Sequence, residues 1–140
     1  MQADETELNH LSKVIIGCAL TVANTLGLGF LEKVYENALA SELRKAGIAV
    51  AQQHSVVVLY DGAVVGEYAV DLLVADSVVV ELKAVMALND VHRAQCVNYL
   101  KATGFRMCLL LNFGGPRLEI KGLVGDFEIR DFVLVASGNV

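Results

Sequence analysis

Near residue 50 the hydrophobic period of the chain changes from three-and-four to two, so helices and a sheet have to share its core. Before that point Leu8, Leu11, Ile15, Cys18 and Val22 recur at the spacing of one helical face, which predicts a helix from about Glu5 to Asn24. Leu26-Gly27-Leu28-Gly29 breaks it. A second helix is expected from about Phe30 to Lys45, with Gly47 placed to end it in a left-handed cap. Beyond the change, Gln52 to Tyr60 and Ala63 to Val74 read as strands joined by Asp61-Gly62, the strongest short hairpin signal in the chain. Ala75-Asp76-Ser77 supplies another turn before a third strand from Val78 to about Val85.

Asn89 or Asp90 can cap a third helix that lasts to about Thr103 and is closed by Gly104. Phe105 to Leu111 is an uninterrupted apolar run of strand length, suited to a strand covered on both faces. Asn112 to Pro116 makes a turn, and Arg117 to Val124 and Phe127 to Val135 read as further strands. A strand meander followed by a helical crossover implies a mixed sheet with helices packed on it. The fold class is therefore α/β, close to the border with α+β.

At 140 residues, 55 % of them hydrophobic and 19 % charged, the chain is expected to form one domain, 1–140, with one core. The single proline and the lack of Ser- or Gly-rich runs leave no evident linker. Net charge is −5 and the pI about 5.1, which argues against a broad nucleic-acid-coating surface. A phosphodiesterase stays open, because a bound metal can supply the positive charge. Cys18, Cys96 and Cys108 are odd in number, far apart in sequence and set among apolar neighbours; reduced buried thiols, and hence a cytoplasmic location, are expected. The stretch Val14–Leu31 carries no charge, yet Thr21, Asn24, Thr25 and three glycines interrupt it, and acidic residues precede it. It reads as a buried helix running into a loop, with no membrane role.

Tyr68-Ala-Val-Asp-Leu-Leu-Val74 sets Asp71 inside an apolar strand, and Val78-Val-Val-Glu-Leu-Lys-Ala84 sets Glu81 and Lys83 inside the next. Residues two apart on a strand share a face, so Glu81 and Lys83 point the same way. A turn centred near Asp76 puts Asp71 opposite Glu81, with Cβ atoms ~5 Å apart. Two carboxylates and an ammonium then converge. Opposed buried carboxylates repel, and a magnesium-like ion, which prefers carboxylate oxygens, would compensate. An ordinary solvated Glu–Lys pair produces the same alternation. The near-apolar surroundings weigh against it, because a charge in a covered strand needs a reason.

Asp71 followed by Glu81-Leu-Lys83 resembles the PD-(D/E)XK nuclease signature, with Val70 where many members have proline. Gly29-Phe-Leu-Glu32-Lys-Val-Tyr35 is similar to the motif that names the GxxExxY proteins, a small bacterial family assigned to that superfamily. Asn98-Tyr-Leu-Lys-Ala-Thr-Gly104 and Leu111-Asn-Phe-Gly-Gly-Pro-Arg-Leu-Glu-Ile-Lys121 also look typical of it, so the likeness runs from the first helix to about Val124. The resemblance implies a restriction-endonuclease-like core of order α-β-β-β-α-β. Similarity to RecB-like exonucleases implies that Glu32 joins the metal shell of Asp71 and Glu81, and that Gln95 and Tyr99 line the site. Members often carry a histidine where this chain has Ala23 and Asn24, so any role of that histidine is absent here.

The helical wheel, at ~100° per residue, puts Glu32 beside Leu39 and Leu43 at the edge of the inward arc. Glu42 falls in that arc too, and the wheel does not choose between them. Gln95 and Tyr99 share a face with His92 and Thr103; polar groups satisfied at a helix–sheet contact would give the same pattern, and His92 reads as an edge residue.

Three functions are expected. The first is a Mg²⁺- or Mn²⁺-dependent deoxyribonuclease with Asp71, Glu81 and Glu32 on the metal, Lys83 positioning water, and Gln95 and Tyr99 orienting substrate or Lys83. The second is a catalytically silent module that binds nucleic acid or a partner protein. The third is hydrolysis of a small phosphorylated molecule. A homodimer or a place in a larger complex is compatible with each.

Overall fold

A computed structural model of the chain describes residues 4–125 and 129–133. Along it run α1 (Glu5–Leu26), α2 (Glu32–Lys45), β1 (Val50–Tyr60), β2 (Ala63–Val74), β3 (Val78–Lys83), α3 (Asp90–Thr103), β4 (Met107–Asn112), β5 (Glu119–Gly125) and β6 (Ile129–Val133). The expected order of elements is found; Phe127, Glu128, Leu134 and Val135 of the last expected strand lie outside the described residues. The six described strands form one sheet in sequence order. All neighbours are antiparallel except β3 and β4, which α3 joins as a parallel crossover. This is a mixed sheet flanked by helices, with the restriction-endonuclease-like arrangement.

Local chemistry sets the boundaries. Asp4 caps α1 by accepting from the Glu7 N–H at 2.9 Å, and Asn89 caps α3, its own N–H donating to His92 Nδ1 at 3.2 Å. His92 is thus half of a capping box. Gly104, at φ 76°, closes α3. The β1–β2 turn has Asp61 and Gly62 at φ 50° and 79°, and the β2–β3 turn has Ala75 and Asp76 at 51° and 52°. Both central residues being left-handed matches the right-handed twist of the strands.

Several expected ends shift by one or two residues, and two of the shifts have a local cause. The second helix begins at Glu32 rather than Phe30, because the Phe30 N–H donates to the Tyr35 hydroxyl at 3.3 Å while Leu31 stays extended. The third strand ends at Lys83 rather than Val85. The buried Asn112 side chain takes both backbone groups of Val85, accepting from its N–H at 3.0 Å and donating to its carbonyl at 2.9 Å.

Two hydrophobic clusters sandwich the sheet. One joins α1 and α2 to Leu72, Val74, Val78, Val80, Leu82, Leu109 and Leu111; the other joins α3 to Val56, Val70, Leu73, Val79, Cys108 and Leu110. On β2, Val70 and Leu72 are two apart yet belong to opposite clusters, and on β1 Val50 and Val56 are divided the same way. The faces of this hairpin therefore reverse along its length, at Asp71 on β2 and near Gln53 on β1. Gln53 has φ 54° in mid-strand, while the pairing on either side, Gln52↔Leu72 and His54↔Val70, keeps its register. A left-handed residue turns the rest of the strand over without inserting an extra residue.

Candidate active site

The β2–β3 ladder pairs Val74 with Val78, Leu73 with Val79 and Leu72 with Val80, which brings Asp71 level with Glu81. There the backbone ladder gives way to side chains. The Asp71 N–H donates to Glu81 Oε1 at 2.9 Å, and the Leu82 N–H donates to Asp71 Oδ2 at 2.8 Å. Each carboxylate thus fills the place of a main-chain carbonyl, and the two lie in the opening where β2 turns away from β3.

Both faces of the sheet feed this opening. From α2, Glu32 Oε2 accepts from the Ala84 N–H at 3.4 Å, directly after Lys83. One turn further along, the buried Glu36 accepts from Gln53 Nε2 at 2.7 Å, from Gln52 Nε2 at 2.8 Å and from Lys33 Nζ at 3.0 Å. Gln53 Nε2 also donates to Asp71 Oδ1 at 3.2 Å. From α3, Tyr99 packs edge-on against Tyr68 with ring centroids 6.4 Å apart.

Four neighbouring carboxylates, Asp71, Glu81, Glu32 and Glu36, set the electrostatics. Burial pushes Glu81 up to about 8 from an ordinary 4.5, and the neighbouring Asp71 adds to it. Burial also raises Asp71; the Leu82 N–H and Gln53 amide oppose the rise, and Glu36 and Glu32 add to it. Tyr99 is raised by burial and then by Glu81 and Asp71, which sets it beside the acidic pair. Lys83 is half-buried and draws the Glu81 value down, but among the described residues it forms no direct ion pair with either carboxylate.

The structure brings Asp71, Glu81, Glu32 and Tyr99 close to one another, with Lys83 two residues beyond Glu81 on β3. Gln95 stands one turn before Tyr99 and makes no hydrogen bond to these groups among the described residues. It lines a neighbouring groove of about 850 Å³ with Tyr68, Tyr99, Asn98, Lys101 and Val56–Leu59. Glu42, which the wheel could not separate from Glu32, pairs with Lys45 at 2.6 Å away from the site. Tyr35 is structural: buried and stacked on Phe113, its hydroxyl donates to the Gly27 carbonyl at 2.6 Å and so fixes the loop that delivers Glu32.

Sequence reasoning missed Glu36 and Gln53. A signal for Glu36 existed, since four residues on from Glu32 is only ~40° around the helix. Gln53 carried none.

A mixed sheet whose second and third strands together present an acidic pair and a lysine, with a helix on either side, is the architecture of a nuclease domain. A family model of the PD-(D/E)XK nuclease superfamily matches residues 9–123, and the chain belongs to that superfamily. No match was found among curated proteins or solved structures.

Proposed function

We propose that the chain is a divalent-metal-dependent nuclease that hydrolyses phosphodiester bonds in DNA. One observation carries this: Asp71 and Glu81 meet where the β2–β3 ladder opens, with Lys83 two residues on. Superfamily membership supports it, and the Gly29, Glu32 and Tyr35 pattern fits the GxxExxY branch.

The donor set suits a hard cation such as Mg²⁺ or Mn²⁺. All four acids offer oxygen, and Glu81 and Asp71 are raised first by burial and then by the neighbouring acids, a charge that a bound cation would offset. As the side chains stand, no three His, Cys, Asp or Glu residues among the described residues are set to hold a metal ion. Asp71 and Glu81 would hold the ion, with Glu32 completing the shell. A bound ion supplies Lewis acidity toward a phosphoryl oxygen and toward water. Lys83 would hold the attacking water and balance charge on the phosphate. Tyr99 and Gln95 would orient the strand that enters from the groove.

The second reading is a silent nuclease-fold module. It is favoured by the same hydrogen bonds, since both carboxylates already have main-chain N–H partners. Cleavage of plasmid, linear and single-stranded DNA with Mg²⁺ or Mn²⁺ separates the two. The nuclease reading expects cleavage by the wild type and its loss, by a hundredfold or more, in a folded Lys83→Ala variant. Equal cleavage by that variant contradicts it.

A further inference from the structure

We infer that Gln53 is a positioning residue for the Asp71 carboxylate, and that its left-handed backbone is what lets it serve. This rests on the reading of Asp71 as a metal-holding group.

Two features of Gln53 coincide. Its φ of 54° is costly for a residue with a side chain in mid-strand, where glycine would bear it freely. Its amide nitrogen is also a side-chain donor shared by two of the four acids, at 2.7 Å from Glu36 Oε1 and 3.2 Å from Asp71 Oδ1. A primary amide has two N–H groups, so both bonds can be made at once.

The backbone turn explains how the side chain gets there. The β1–β2 hairpin reverses its faces at this level, and Asp71 itself sits at the crossover on the partner strand. Ordinary alternation would carry the Gln53 side chain to the face opposite Gln52. With a left-handed φ, both Gln52 and Gln53 instead reach Glu36 on α2. Glu36 is buried and anchored further by Lys33, so it acts as a fixed post. Gln53 is the strut from that post to Asp71 Oδ1, while the Leu82 N–H holds Oδ2. The carboxylate is thereby pinned at both oxygens without a formal positive charge, which would compete with a cation for it. Partners of this kind, one step out from a metal, orient its ligands and tune affinity.

Gln53→Gly separates this role from a structural one. Glycine accepts the backbone conformation, which offsets part of the cost of the two lost hydrogen bonds, so the metal-free variant should still fold cooperatively. Loss of the strut should weaken Mn²⁺ binding, measured by calorimetry, roughly tenfold or more. Gln53→Glu keeps the side-chain length but replaces the donor with an acceptor facing two acids. It should also fold, because an added Mn²⁺ ion relieves the repulsion, and its melting temperature should depend on Mn²⁺ more steeply than that of the wild type. Wild-type Mn²⁺ affinity in a folded Gln53→Gly variant overturns the positioning role alone. A wild type that binds no Mn²⁺ overturns the metal reading of Asp71 and this role with it.

Discussion

Glu81 shows at the level of one residue what the site costs the fold. Its carboxyl is held at about 8 by burial and by Asp71, well above the 4.5 of a solvated glutamate. The folded, metal-free protein therefore binds a proton more tightly than the unfolded chain does. The stabilisation linked to this group is fully present below about 4.5 and is lost as pH rises through about 8. Asp71, shifted in the same direction, adds to the effect. At ~1.4 kcal/mol per pK unit the loss reaches a few kcal/mol. The metal-free wild type should melt progressively lower from pH 5 to pH 8.5, and Glu81→Gln should flatten that slope. An unchanged slope in the variant would remove Glu81 as its source. Chemical denaturation across the pH series measures it.

Among the elements, the segment after Lys83 is held by side chains from far along the chain. Asn112 occupies Val85 from both sides and donates to Glu119 Oε1, which in turn accepts from the Leu88 N–H. Gly114 lies so close beneath this segment that a Cβ there would fall onto the backbone N and O of Val85. Gly114→Ala should therefore destabilise the fold by roughly 1–3 kcal/mol and lower activity through displaced Lys83. A melting temperature within a degree of wild type would contradict the close approach.

Element order was legible in the sequence because turns and caps are local. Asp61-Gly62, Gly104 and Asn89 act through their own backbone conformation or through a neighbour three residues away. The Asp71–Glu81 pairing was legible for the same reason, being fixed by one short turn. Gln53 opposite Asp71 was not. A two-residue turn at Asp61-Gly62 pairs residue 53 with residue 70, and the register shift between Val58 and Leu59 moves it to 71. The face reversal then defeats any argument from alternation. Both are tertiary outcomes of a hairpin that bends between two clusters, and no residue near them announces it. The Asn112 clamp was hidden likewise, because its partners lie 27 residues earlier in the chain.

For the whole molecule, charge is the organising fact. The net charge is −5, and four acids lie near one another at the site, so a polyanion approaching it meets like charge. Among the described residues no helix is long and apolar enough to cross a membrane. A divalent ion would relieve the internal repulsion and draw a phosphate to the site, coupling fold stability to metal concentration. Calorimetric titration of the wild type and of Asp71→Asn with Mn²⁺ at pH 7 tests this most directly. The wild type should bind, with heats that differ between buffers because Glu81 releases its proton, and Asp71→Asn should bind at least tenfold more weakly. No binding by wild type at millimolar Mn²⁺, or equal binding by the two proteins, would contradict a metal site at Asp71 and Glu81.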